Sequence, residues 1–249
     1  MAMATLIMVF LTLALITMTN AASDTNHVFN PCSDTKIQRS DGFTFGIAFS
    51  SKPNFFLNQI INASQQLSPC DTRLGSLRNS NSQLSVFRPK IDEISLLTIN
   101  TTTNFQPDNA GGFMVAFAGR KYAARSIPAF VANNTYIVTS FTLVFEFQKG
   151  RLENLYWKRD GCASCSGKSS YTCLNKQDCA IKTQSCKTNS NSNGNVDCSI
   201  GIQLAFSGTD KNLKSLNSWY EVEKLRQYSL YGLYSNLKNS LTDQYNKVF

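Results

Sequence analysis

Six of the eight cysteines fall in one stretch, CASCSGKSSYTCLNKQDCAIKTQSCKTNSNSNGNVDC, in the spacing C-x2-C-x7-C-x5-C-x6-C-x11-C. Three chemistries use cysteines in this way: a structural metal site, a thiol–disulfide active site, and a set of disulfide staples. Zinc needs a near-fixed tetrahedron of thiolate or imidazole ligands. Here no second C-x2-C follows Cys162 and Cys165, and the one histidine, His27, lies far upstream. Redox catalysis places C-x-x-C at a helix N-terminus in a βαβ setting, where the thiol pKa is lowered. This pair instead sits in a Ser-, Gly- and Lys-rich run after a strand-like segment. Staples remain. Cys32 and Cys70, both upstream and isolated, are the expected pair. Cys162, Cys165, Cys173, Cys179, Cys186 and Cys198 then cross-link a lobe whose sizeable apolar side chains, Tyr171, Leu174, Ile181 and Val196, are too few for a core of its own. No metal and no cofactor is expected.

Disulfides require an oxidising compartment, and the N-terminus supplies the route. TLIMVFLTLALITMTNAA is an apolar run closed by small residues, so residues 1–22 read as a signal peptide cut after Ala21 or Ala22. No other run is long enough to span a bilayer and DQYNKVF carries no retrieval signal, so a secreted, extracellular protein without stable membrane insertion is expected. The sequons at Asn62, Asn100 and Asn133 are candidate glycan sites in such a chain.

Groups suited to catalysis are scarce. One histidine argues against a Ser-His-Asp or Cys-His machine, and no nucleophile elbow, phosphate-binding glycine loop or zinc-protease helix is present. A glycosidase needs only two carboxylates, and Asp92, Glu93, Glu146 and Glu153 are the candidates. Asp92 and Glu93 are adjacent and make a poor pair, so no catalytic residue is assigned and a non-enzymatic protein is expected. The net charge of +8 suits an anionic partner. The basic residues, however, are scattered as pairs such as Arg120-Lys121 and Lys158-Arg159, and no nucleic-acid motif accompanies them. Lys168, Lys176, Lys182 and Lys187 would be displayed on the stapled lobe. Trp157, Trp219, Tyr122, Tyr136 and Tyr156 are candidates for stacking on sugar rings, or for the core.

These groups must be held by strands. FTFGIAF puts Phe43, Phe45, Ile47 and Phe49 on one face, and SIGIQLAFSG does the same for Ile200, Ile202, Leu204 and Phe206. LSVFRPKI, EISLLTINT, GGFMVAFAG, TYIVTSFTLVFEFQ and RLENLYWKR add further strands, with a Lys149-Gly150 turn between the last two. The stretch 53–70 reads as a loop bearing Asn62. From Ser215 to Tyr245, Leu230, Leu233, Leu237 and Leu241 recur at helical spacing, near Trp219, Val222, Leu225 and Tyr234, with Gly232 weakening the middle. The expected fold is mainly β: an antiparallel, jelly-roll-like β-sandwich with a disulfide-rich lobe and a C-terminal helix. Residues 23–210 form the sandwich with a cysteine-rich insertion at 161–198, and 211–249 a helical segment packed on the sheet.

The runs GGFMVAFAGRKYAARSIPAFVANNTYIVTSFTLVFEFQKGRLENLYWKRDGCASCSG, CSIGIQLAFSGTD and NSWYEVEKLRQYSLYGLY resemble a family of plant secretory proteins labelled Expp. The resemblance implies a plant origin and an apoplastic or cell-wall setting, and transfers no catalytic or binding residue. The expected role is a secreted glycoprotein that binds acidic cell-wall polysaccharide or glycans. The alternative is a protein-binding, signalling or defence component of the apoplast, and a carbohydrate-active enzyme ranks below both.

Overall fold

The computed structural model describes residues 24–57, 65–74, 77, 81–101, 105–120, 124–159, 161–165, 167, 170–186 and 196–225. The expected signal peptide, Asn62, Tyr122, Lys168, Lys187 and the helical stripe beyond Leu225 lie outside these residues.

Thirteen strands form three sheets among the described residues. The first sheet has the order β2 (Gln83–Phe87), β1 (Phe45–Ser51), β4 (Gly112–Ala118) and β5 (Ala124–Arg125), with β6 (Ala129–Phe130) also on β4. The second has β13 (Ser215–Leu216) and β3 (Ser95–Ile99) on one side of β12 (Ile200–Thr209), then β8 (Ser140–Gln148) and β9 (Arg151–Lys158). A small third sheet joins β10 (Tyr171–Leu174), β11 (Asp178–Lys182) and β7 (Tyr136–Val138).

Strand alternation decides what faces inward. Phe45, Ile47 and Phe49 from the first sheet, with Phe43 just before β1, share one core with Leu143, Phe145, Phe147, Ile200, Ile202, Leu204 and Phe206 from the second. Phe145 is its hub, with ring centroids 5.7 Å from Phe43, 4.9 Å from Phe45 and 5.2 Å from Phe206. A fully buried phenylalanine of this kind is worth about 3–5 kcal/mol against alanine. The fold is therefore mainly β, with sandwich-like packing, as its alternating sequence predicts.

The outer faces carry smaller clusters. Ala48, Val115 and Phe117 of the first sheet are covered by Phe55 of the 3-10 turn Lys52–Phe55, and the Cys32–Cys70 bridge packs beside them. On the second sheet, Val144 and Ala205 pack against Tyr156 and Trp219. Trp219 belongs to α1 (Ser218–Leu225), which begins three residues later than the sequence pattern predicts because Ser215–Leu216 pairs with β12 instead.

Two features depart from expectation. TYIVTSFTLVFEFQ, read as one strand, divides at Thr139 into β7 and β8, which belong to different sheets. β8 and β12 are parallel, from Gly201↔Ser140 to Gly208↔Phe147, whereas the other strand pairs among the described residues are antiparallel. A parallel pair needs a long crossover, and this one consists of β9 and the whole cysteine-rich stretch. That stretch is not free-standing. β11 pairs with β7 through Ile181↔Ile137, so Ile181 enters the main core, with Tyr171 and Val196 packed against it.

Candidate functional site

The Lys149-Gly150 turn joins β8 to β9 with both residues at positive φ, 50° and 78°, the mirror-image turn that suits strand twist. Its backbone ties two distant segments together. Gly150 N–H donates to Thr209 O and Gly150 O accepts from Ile37 N–H, both at 2.9 Å, while Lys211 N–H donates to Ile37 O at 2.9 Å. Segment 36–39, the 149–150 turn and the 210–214 turn thus form one end of the sandwich.

Buried carboxylates organise this end. Asp210, fully buried, accepts from the backbone N–H groups of Arg39 (3.0 Å), Asn212 (2.8 Å) and Lys214 (2.9 Å). Burial pushes its pKa up, but these N–H groups and the charge of Lys214 outweigh it and hold the carboxyl below the ordinary aspartate value. Asp41, equally buried, accepts from Thr25 N–H (2.7 Å), Thr25 Oγ1 (2.9 Å) and Gln38 N–H (2.8 Å). Asp92, at φ 63°, accepts the N–H groups that open α1, and its Oδ2 lies 2.9 Å from Arg39 Nε as an ion pair rather than an aligned hydrogen bond.

Cations occupy the rim. Lys36, Arg39, Lys149, Lys211 and Lys214 are exposed on these same segments, and Arg151, the first residue of β9, is half-buried. Arg39 keeps 55% of its side chain in solvent despite its ion pair, and Lys211 Nζ donates to Thr25 Oγ1 at 3.2 Å. Nearby acidic groups face cations of their own: Glu93 meets Lys90 at 3.5 Å, and Asp24 meets Arg88 at 2.7 Å. The result is an exposed basic pole whose carboxylates lie beneath it, committed to backbone donors. Sequence reading missed it because Lys36 and Lys214 are 178 positions apart. The usable signal was a lysine at each turn, in QKGR and TDKNLK.

The other candidates lie elsewhere. Glu93 is held by Lys90, Glu146 accepts from Asn154 Nδ2 (3.0 Å) and Tyr156 Oη (3.2 Å), and Glu153 is exposed on β9. Burial first, and then the charge of Glu146, raise the Tyr156 pKa. Trp157 points into the core, and Trp219 has the sheet on one side and Lys158 Nζ 4.3 Å from its ring centroid. Trp157 and Trp219 therefore have their ring faces taken up by the core, the sheet and Lys158. Lys176 sits in the β10–β11 turn and Lys182 at the far end of β11, so the structure does not group them. His27 is exposed on a segment fixed by Asn26, whose Nδ2 donates to Gly42 O at 2.7 Å.

All eight cysteines are paired: Cys32–Cys70, Cys162–Cys173, Cys165–Cys179 and Cys186–Cys198. The sulfurs of Cys162, Cys165 and Cys179 lie within 4.8 Å of one another, the one metal-like cluster among the described residues. Each is in a disulfide and offers no thiolate to a metal. Four disulfides are the chemistry of an extracellular or secreted protein, and among the described residues no helix is long and apolar enough to cross a membrane. Asn133 and Asn100 are exposed, and Asn133 Oδ1 accepts from Thr135 N–H (2.9 Å) and Tyr136 N–H (2.8 Å), leaving its amide nitrogen as the group a glycan would take.

A family model described as "Uncharacterised protein DDB_G0273449" matches residues 1–137 and 129–248. The chain belongs to that family. No curated protein and no solved structure was found to match it. The family's description carries no activity, so the case for function rests on the basic pole.

Proposed function

We propose that this protein is a secreted, non-enzymatic glycoprotein that binds anionic polysaccharide through its basic pole. One observation carries the reading: lysines and arginines from three distant segments are brought to one end of the sandwich, over carboxylates already bonded to backbone N–H groups. Flexible, exposed lysines suit a repeating polyanion better than a single small ligand, because each is a point charge without fixed fork geometry. The resemblance to plant secretory proteins supports an apoplastic setting, where acidic wall polysaccharide is such a polyanion. Asn100 and Asn133, exposed in the structure, are the glycan sites this reading uses, with Asn62 as a third sequon.

The test is retention on immobilised pectate. Wild-type protein is expected to bind at low salt and to elute as ionic strength screens the charges. A triple K36Q/K149N/K214Q variant should elute at clearly lower salt, while K176Q/K182Q elutes with wild type. Equal elution of the two variants would remove the pole from the reading.

A second reading has one observation in its favour. β2 is an edge strand whose outward Leu84 and Val86 remain 59% and 51% exposed. Such an edge suits a protein partner that adds a strand. That reading predicts a partner captured from apoplastic fluid by wild type and lost in V86K, with pectate retention unchanged.

A further inference from the structure

Two disulfides in the crossover stand side by side. Both tie the 3-10 turn Cys162–Cys165 to the β10–β11 hairpin, one through Cys173 and the other through Cys179. The sulfurs of Cys162, Cys165 and Cys179 lie within 4.8 Å of one another, and Cys173 is bonded to Cys162. Cys173 and Cys179 also face each other directly across the two strands. The turn is stacked on the hairpin, with Cys162 Sγ 3.7 Å from Asp178 O and Cys179 Sγ 4.0 Å from Gly161 O. Burial is unequal: Cys173 is exposed, Cys162 and Cys179 are half-buried, and Cys165 is only 7% exposed.

We propose that these four cysteines form a thiol-exchange site with two closed pairings, opened by a small-molecule thiol at Cys173. An external thiolate attacks Cys173 Sγ. A mixed disulfide forms, the Cys162–Cys173 bond breaks, and Cys162 leaves as a thiolate. Cys162 then attacks Cys165 Sγ, breaking Cys165–Cys179 and releasing Cys179 as a thiolate. Cys179 attacks the mixed disulfide at Cys173, its cross-strand neighbour, and expels the external thiolate.

The products are Cys162–Cys165 and Cys173–Cys179. Two disulfides are present before and after, the external thiol is regenerated, and there is no net oxidation. Exchange of this kind needs an accessible sulfur for the incoming thiolate and a nearby thiol to follow it. The exposure of Cys173 and the packing of the other three supply both. The structural consequence is a release: the native bridges fasten the turn to the hairpin, whereas each new bridge is internal to one of them.

The wild-type protein tests this directly. It is incubated with substoichiometric reduced glutathione, quenched in acid, capped with N-ethylmaleimide and digested with trypsin without reduction. Cleavage after Arg159, Lys168, Lys176 and Lys182 gives peptides 160–168 (Cys162 and Cys165), 169–176 (Cys173) and 177–182 (Cys179). The native pairing appears as one assembly of all three. The exchanged pairing appears as 160–168 with an internal disulfide, plus a two-peptide product of 169–176 and 177–182. Appearance of those two masses, without a matching rise in capped thiols, is the expected result. Persistence of the three-peptide assembly alone, or its conversion only into capped thiols, would overturn the proposal.

Discussion

Asp92 Oδ1 accepts the backbone N–H of Ser218 at 2.9 Å, across 126 positions of chain, and that of Asn217 at the same distance. A carboxylate in the loop between β2 and β3 thus satisfies donors that the first turn of α1 cannot satisfy itself. It is a helix cap delivered from elsewhere in the fold. Ser218 adds the reverse link, its Oγ accepting the N–H of Phe206 at 2.9 Å.

Replacing Asp92 with alanine removes the acceptor of two N–H groups and the ion-pair partner of Arg39, and places a side chain without local hydrogen bonding at φ 63°. We expect a loss of about 1–3 kcal/mol in denaturant unfolding. Asp92→Asn keeps one acceptor and tolerates the backbone angle, so it should lose less. Equal losses would show that the cap contributes nothing.

Acid should destabilise the fold through Asp24 and Asp210. At each, burial raises the pKa but is outweighed: by Arg88 with the N–H groups of Gly42 and Asn26 at Asp24, and by the N–H groups of Arg39, Lys214 and Asn212 at Asp210. Both folded values lie below the unfolded one, so the unfolded chain takes up protons first as pH falls. The stabilisation is complete above about pH 4 and is lost as pH drops through the lowered folded values. Denaturant midpoints should be level from neutral pH to near that point and then fall. The Asp210→Asn variant should fall less steeply; an unchanged slope would remove Asp210 from the account. Asp71, held at about 2 by Arg73, adds to the same acid-side loss, reduced because the Arg73 side chain is 60% exposed and solvent screens the pair.

Gly150 is the backbone joint of the basic pole. At φ 78°, an added Cβ would meet Ile37 O at 2.5 Å and Lys211 N at 2.8 Å. Gly150→Ala should therefore destabilise by more than about 1 kcal/mol and lower the salt at which the protein leaves pectate. Gly167→Ala is the comparison, since it shares the φ of 78° but has nothing within 4 Å. Equal thermal shifts in the two variants would mean that the close approach at Gly150 is relieved without cost.

Trp157 is buried with no partner for its Nε1. A stranded donor costs about 1–3 kcal/mol, so Trp157→Phe should be nearly neutral: the lost volume offsets the removed donor. Trp157→Ala should lose about 3–5 kcal/mol. The phenylalanine variant also leaves Trp219 as the sole indole, and its emission should lie to the red of wild type.

Local alternation made much of the scaffold legible. Phe43 to Phe49 and Ile200 to Phe206 face the core because side chains on a strand repeat every two residues, and Lys149-Gly150 announces its turn. The break at Thr139 was hidden because alternation continues on both sides of it. The parallel pairing of β8 with β12 and the gathering of the basic pole depend on contacts between distant segments, which leave no periodic trace. Asp92, read as a possible catalytic carboxylate, is a cap because its loop lies beside the start of a helix more than a hundred residues away.

The parallel pairing of β8 and β12 also sets an order of assembly. β12 lies between β8 on one side and β3 and β13 on the other, yet it follows all of β1 to β11 in the chain. Until residues 200–209 have emerged, β3 has no neighbour in its sheet and the inward face of β8 lacks Phe206. The crossover that must be complete before they pair contains three of the four disulfides, so bridge formation and closure of the core are coupled in time. Sequence-distant pairing of this sort folds slowly, and a chain stopped short of β12 would present two unsatisfied strand edges.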